Sequence, residues 1–79
     1  MATLTASASP TQDSVVRNIR IQMTRVGIDG QALAGLVGKS RDWVYRRVNG
    51  QTDISIPDLD LLAPHLKTSP AALVTGVEA

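Results

Sequence analysis

Apolar side chains recur at three- and four-residue steps from about Asp13, where Val15 or Val16, Ile19, Met23 and Val26 line one side of a helix that should end near Gly27. Asp29 stands at a plausible N-cap, and Leu33, Ala34, Leu36 and Val37 give a short second helix closed by Gly38. Ser40 caps a third helix running from about Arg41 to Asn49. Val44 and Val48 are its inward anchors, and Asn49-Gly50 can enter the left-handed conformation that ends it. After the loop GQTDIS, Pro57 marks the first turn of a fourth helix, whose apolar stripe is Ile56, Leu59, Leu62, Ala63 and Leu66. Pro64 lies inside that stripe and predicts an early end or a kink, with His65 and Leu66 in a distorted last turn. Ser69 then caps a fifth helix from Pro70 to about Val74. No stretch alternates as a strand would, so the pattern predicts an all-α chain of five helices.

The segment Gly30 to Gly50, GQALAGLVGKSRDWVYRRVNG, is the densest in information. Ala34 is small enough for a second helix to cross over it, Gly38 tolerates positive φ, and Ser40 caps the helix that begins at Arg41. This reads as a helix-turn-helix. Its second helix carries arginines on one side, which suits the major groove of DNA.

Composition bounds the rest. Residues 1–12, MATLTASASPTQ, are uncharged and rich in Ala, Ser and Thr, so they are expected to form a disordered tail. The folded domain should then span 13–75, with 76–79 as a flexible end. There is no cysteine, hence no disulfide and no thiolate metal site, and a reducing cytoplasm is the expected setting. No run approaches the roughly 18 apolar residues of a membrane span, so no membrane partner is expected. A core with one tryptophan, one tyrosine and no phenylalanine should gain stability from a partner, a second copy or nucleic acid. Net charge is only +1, yet it is unevenly spread: residues 13–50 carry seven basic against three acidic side chains, a net +4, and residues 51–79 carry one against four, a net −3. That asymmetry fits a directed nucleic-acid face as readily as a mixed solvated surface.

Gly27-Ile28, Leu33-Ala34, Gly38, Ser40-Arg41, Val44, Asn49-Gly50 and the later Leu59, Leu62, Leu66 and Leu73 together resemble the lambda-repressor-like, Cro and XRE-type helix-turn-helix family over roughly residues 14–75. The run Arg-Arg-apolar-x-Gly looks most like short phage and actinobacterial variants. The resemblance implies a compact five-helix domain that binds operator half-sites as a dimer and represses transcription. Three positions depart from it. Gly30 stands where many relatives carry a glutamine that reaches phosphate. Met23 and Val48 stand where many bury an arginine–glutamate pair, and replacing both partners with apolar groups is physically coherent. Lys39 and Arg47 stand where apolar side chains are common, so their stems are expected along the core with the charges outward.

With the third helix in the groove, Arg41, Asp42, Tyr45 and Arg46 are the expected base readers, arginine offering paired donors to guanine O6 and N7. For Asp42 a helix-stabilising role is the stronger alternative. Gln31, Ser40, Trp43, Arg47, Asn49, Gln51 and Thr52 are expected phosphate contacts, although Ser40 and Asn49 have local capping roles and Trp43 reads first as partial core. Leu73, Val74 and Val77 are the expected dimer surface. Arg17, Arg20 and Arg25 read as solvated charges. The one histidine, His65, has no nucleophile motif beside it, so no catalytic residue, metal, cofactor or small-molecule substrate is expected and an enzyme is improbable. The alternative is a protein-interaction module, such as an antitoxin subunit, on the same fold.

Overall fold

The computed structural model describes residues 10–76. In chain order they form α1 (Pro10–Val26), α2 (Gly30–Val37), α3 (Arg41–Val48), α4 (Ile56–Leu62), a 3-10 turn (Ala63–Leu66) and α5 (Pro70–Thr75). The described residues include no strand. The described residues are therefore all-α with five α-helices, as the periodicity predicts.

Short polar side chains set most helix ends. Asp29 accepts from the Ala32 N–H at 2.8 Å, Ser40 from Trp43 at 3.0 Å and Ser69 from Ala72 at 3.1 Å. Each such cap contributes about 1 kcal/mol. The turn between α2 and α3 depends on Gly38, whose φ of 73° is left-handed and lets its own N–H and that of Lys39 both donate to the Ala34 carbonyl. At α4, Ser55 and Asp58 form a reciprocal capping box: Asp58 N–H donates to Ser55 Oγ at 3.2 Å, and Ser55 N–H to Asp58 Oδ2 at 3.0 Å. Pro64 has the expected effect, with α4 stopping at Leu62 and the chain continuing as a 3-10 turn that Lys67 closes at φ 56°.

The core is built from Val15, Ile19 and Met23 of α1, Leu33, Ala34 and Val37 of α2, Val44 and Val48 of α3, Leu59 and Leu62 of α4, Ala63 and Leu66 of the 3-10 turn, and Leu73 of α5. Val15 rather than Val16 takes the fully buried place, and Met23 and Val48 both lie in this core. Ile54, in the loop before α4, is buried as well, although no periodicity marks it. Two apolar positions that the pattern assigns to buried faces are solvent-facing instead: Leu36 is 52% and Ile56 69% exposed. Both lie near an end of a short helix, where the stripe continues but the described residues cover it only in part.

Helix α1 begins at Pro10, earlier than the change of pattern at Asp13 suggests. Proline suits a first turn because its missing N–H has no helical partner there. Gln12, expected in the tail, is anchored: its Nε2 donates to the Ile54 carbonyl at 2.9 Å and its Oε1 accepts the Ile54 N–H at 2.8 Å. Residues 1–9 and 77–79, which include most of the expected tail and Val77, lie outside the described residues.

Further along, α1 satisfies carbonyls at the ends of three other elements. Asn18 donates to Leu73 O at 2.7 Å, Arg20 to Val48 O at 3.0 Å and Gln22 to Leu66 O at 2.9 Å. These are the groups that a helix end leaves without an internal partner. Arg20 is thus the C-terminal cap of α3 and not a merely solvated charge.

Candidate nucleic-acid interface

The rotation of α3 about its axis is set by Val44 and Val48, which are four residues apart and both buried. Asp42, Arg46 and Asn49 consequently turn away from the core, with Tyr45 at the flank and Arg41 exposed by its place in the first turn. The four residues expected to read bases are all exposed. Among them, Arg46 Nη2 lies 3.0 Å from Asp42 Oδ2, an i,i+4 pair whose side chains are 52% and 73% exposed. A pair this exposed holds by only about 0.3–0.5 kcal/mol, so either partner can leave it for another.

Tyr45 lies differently from the arginines. Its ring rests on Gly30, the first residue of α2: a Cβ built on Gly30 would fall 2.7 Å from Tyr45 Cζ. Gly30 is buried beneath it. The first turn of α2, with exposed Gln31, therefore borders the α3 face. Asp29 already places a carboxylate at that helix start, which weakens its field for a further anion.

On the flank of α3, Trp43 is half-buried against the core, with the Arg47 guanidinium 4.0 Å and the Lys39 ammonium 5.4 Å from its ring centre. Arg47 does not reach outward as expected. Its Nε donates to Asp58 Oδ2 at 3.2 Å and its Nη1 to the Trp43 carbonyl at 3.1 Å, with the ion pair's side chains only 16% and 15% exposed. The expectation that this stem lies along the protein body holds, but its charge is spent on Asp58 of α4. We therefore read Arg47 as the residue that fixes α3 against α4.

Burial alone would raise the Asp58 pKa. The Ser55 N–H, the Arg47 guanidinium, the Ser55 hydroxyl and the Arg47 charge together outweigh it and hold the carboxyl below its ordinary value. A depressed folded-state pKa stabilises the fold at every pH above the unfolded value, and that stability is lost as pH falls through the lower, folded one. Thermal melting is thus expected to weaken below about pH 4, and Asp58→Asn should flatten that acid limb while lowering stability at neutral pH. An acid limb of unchanged steepness in the variant would assign it to other carboxylates.

The remaining expected phosphate contacts cluster around the two ends of α3. Ser40 is exposed and uses its oxygen as a cap, and its hydroxyl proton is still able to donate. Asn49 is exposed, and its Oδ1 lies 3.5 Å from Arg20 Nη1. Its backbone is not left-handed; Gly50 alone takes that conformation, at φ 79°. The N–H groups of Gln51 and Thr52 both donate to the Arg46 carbonyl, at 2.8 and 3.0 Å, folding this segment back against the helix end.

Of the expected dimer residues, Leu73 is buried in the core of the chain itself, because α5 packs on α1 and α4 and uses Leu73 to do so. Val74 is exposed. Among the described residues no three His, Cys, Asp or Glu side chains are grouped to hold a metal, and no helix is long and apolar enough to cross a membrane.

No protein-family model matches the chain, and no curated protein matches it. Solved structures do. A hypothetical transcription factor from Neisseria, NHTF, superposes with a TM-score of 0.77 at 19% identity, over 94% of this chain and 84% of its own. Fe(II) HppE in complex with substrate superposes with a TM-score of 0.69 at 27% identity, over 84% of this chain and 37% of HppE. The five-helix arrangement is thus the fold of a hypothetical transcription factor, and it also recurs as a part of a larger chain.

Proposed function

We propose that this chain is a sequence-specific regulator of transcription, a short repressor or Cro-type protein that binds double-stranded DNA by placing α3 in the major groove and acts by binding rather than catalysis. The observation that carries this reading is that Arg41, Asp42, Tyr45 and Arg46 are all exposed on α3 while Val44 and Val48 bury its inner side. The likeness to a hypothetical transcription factor supports it. Arg41 and Arg46 have the donors to read guanine, while Ser40, Gln31, Asn49, Gln51 and Thr52 border the helix where backbone contacts fix register. An eight-residue recognition helix offers few base contacts. Two copies on half-sites about 34 Å apart would supply the missing affinity. Val74 remains available for such a dimer in the cytoplasm.

The test is binding of the purified chain to duplexes selected from a random pool, measured at several salt concentrations. Log affinity should fall linearly with log salt, by about 0.9 for each phosphate neutralised. A flat response would overturn the reading.

A second reading is a protein-interaction module, an antitoxin subunit among the possibilities. What favours it is the likeness to HppE, where the similar region is 37% of a chain solved with iron and substrate. Absence of binding to any duplex at low salt would select this reading, because non-specific contact is strongest there.

A further inference from the structure

We propose that Tyr45 donates its hydroxyl to a DNA phosphate at the groove wall, and that Gly30 is the residue that sets it there. The inference rests on the DNA-binding reading above. It moves Tyr45 out of the base-reading set and gives Gly30 a role that the sequence alone does not suggest.

Gly30 has no conformational need to be glycine, since it is absent from the positive-φ positions, which are Gly27, Gly38, Gly50, Gly76 and Lys67. Its need is for space. A Cβ there would meet Tyr45 Cζ at 2.7 Å, Cε1 at 2.9 Å and Cε2 at 3.1 Å, so the hydroxyl-bearing tip of the ring covers the start of α2. One side of the ring is held on this notch, yet the residue remains 38% exposed. Among the described residues no hydrogen bond occupies its hydroxyl.

Docking geometry then decides what that hydroxyl meets. When the second helix of a helix-turn-helix lies in the major groove, the first helix crosses the sugar-phosphate backbone. Arg41 and Arg46 project from the exposed side of α3 towards the groove floor. Tyr45 is rooted on α3 but leans on α2, which brings its tip to the groove wall and the line of phosphates. A neutral hydroxyl there fixes register and reads no sequence.

The notch has a small tolerance. Ordinary contact begins at 3.4 Å and a new Cβ would stand at 2.7 Å, so Gly30→Ala must displace the ring tip by about 0.7 Å. Placement of a binding group tolerates only about 0.5 Å. One added methyl is therefore enough to spoil the contact without changing any charge.

The experiment compares wild type, Tyr45→Phe, Gly30→Ala and the double variant on the best selected duplex and on its single-base variants, at two salt concentrations, with melting curves for each protein. Tyr45→Phe and Gly30→Ala should each lower affinity about ten- to a hundredfold per half-site, the loss expected for one hydrogen bond to a charged group. The loss should be equal across all duplexes, with an unchanged salt slope and near-wild-type melting. The double variant should be no worse than Tyr45→Phe. If wild type binds and Tyr45→Phe changes preference at one base pair only, or if Gly30→Ala binds as wild type does, this proposal alone is overturned. If wild type binds no duplex at low salt, the DNA-binding reading falls and takes the proposal with it.

Discussion

Leu66→Ala is expected to remove about 2–5 kcal/mol from the stability of the domain, the range for emptying a fully buried leucine site. Leu66 is completely buried where the 3-10 turn packs on α1 and α2. A chain of this size has a total stability of only about 4–10 kcal/mol. The loss is therefore around half of what holds the fold, and at about 4–8 °C per kcal/mol the melting temperature should fall by at least about 8 °C. Leu36→Ala is the informative control, because this leucine is exposed and its truncation should cost no more than about 0.5 kcal/mol. Melting of both variants by circular dichroism checks the pair. Equal effects would mean that the core is not where the packing puts it.

Arg46→Ala should carry the largest effect on recognition. A guanidinium bidentate to guanine contributes about 1–3 kcal/mol of discrimination, and in a dimer it is lost twice. Specific affinity is thus expected to drop at least about fivefold per half-site, while binding to random duplex falls much less. The fold should be indifferent, since the side chain is exposed and its ion pair among the described residues is with exposed Asp42. Asp42→Ala supplies the opposite case: it frees Arg46 and removes a negative charge from the face, so non-specific affinity should rise. Titration of each variant against the selected site and a scrambled one reads both effects. An Arg46→Ala protein that discriminates as well as wild type would remove this residue from the base readers.

Much of the fold is legible in the sequence because helix boundaries are local chemistry. Asp29, Ser40 and Ser69 cap within three residues, Gly38 supplies the left-handed turn, and Pro64 ends α4, all decisions taken over a few neighbouring positions. The outward set on α3 is legible for the same reason, since two valines fix its rotation. What periodicity does not reveal is which faces are covered. It assigns Leu36 and Ile56 to buried stripes although both remain more than half exposed, and it leaves Leu73 free for a partner copy when α1 and α4 already enclose it. Long-range polar pairs are hidden as well. Arg47 meets Asp58 eleven residues on, Gln12 meets Ile54 across 42 and Asn18 meets Leu73 across 55, distances at which spacing carries no signal. The notch at Gly30 escapes a sequence reading because the residue that needs it, Tyr45, lies on another helix.

The three side chains that α1 extends to the carbonyls of Val48, Leu66 and Leu73 bear on how this domain opens. Each lies at the end of a different element, so detachment of α1 strips one carbonyl partner from all three at once. Local opening and global unfolding should then share nearly one free energy, with amide protons of α3 and α5 exchanging together with those of α1. Helix α3 is tied to α1 in this way, so in the DNA-binding reading proposed above its adjustment to a groove falls to side chains such as Arg46, which can change partners.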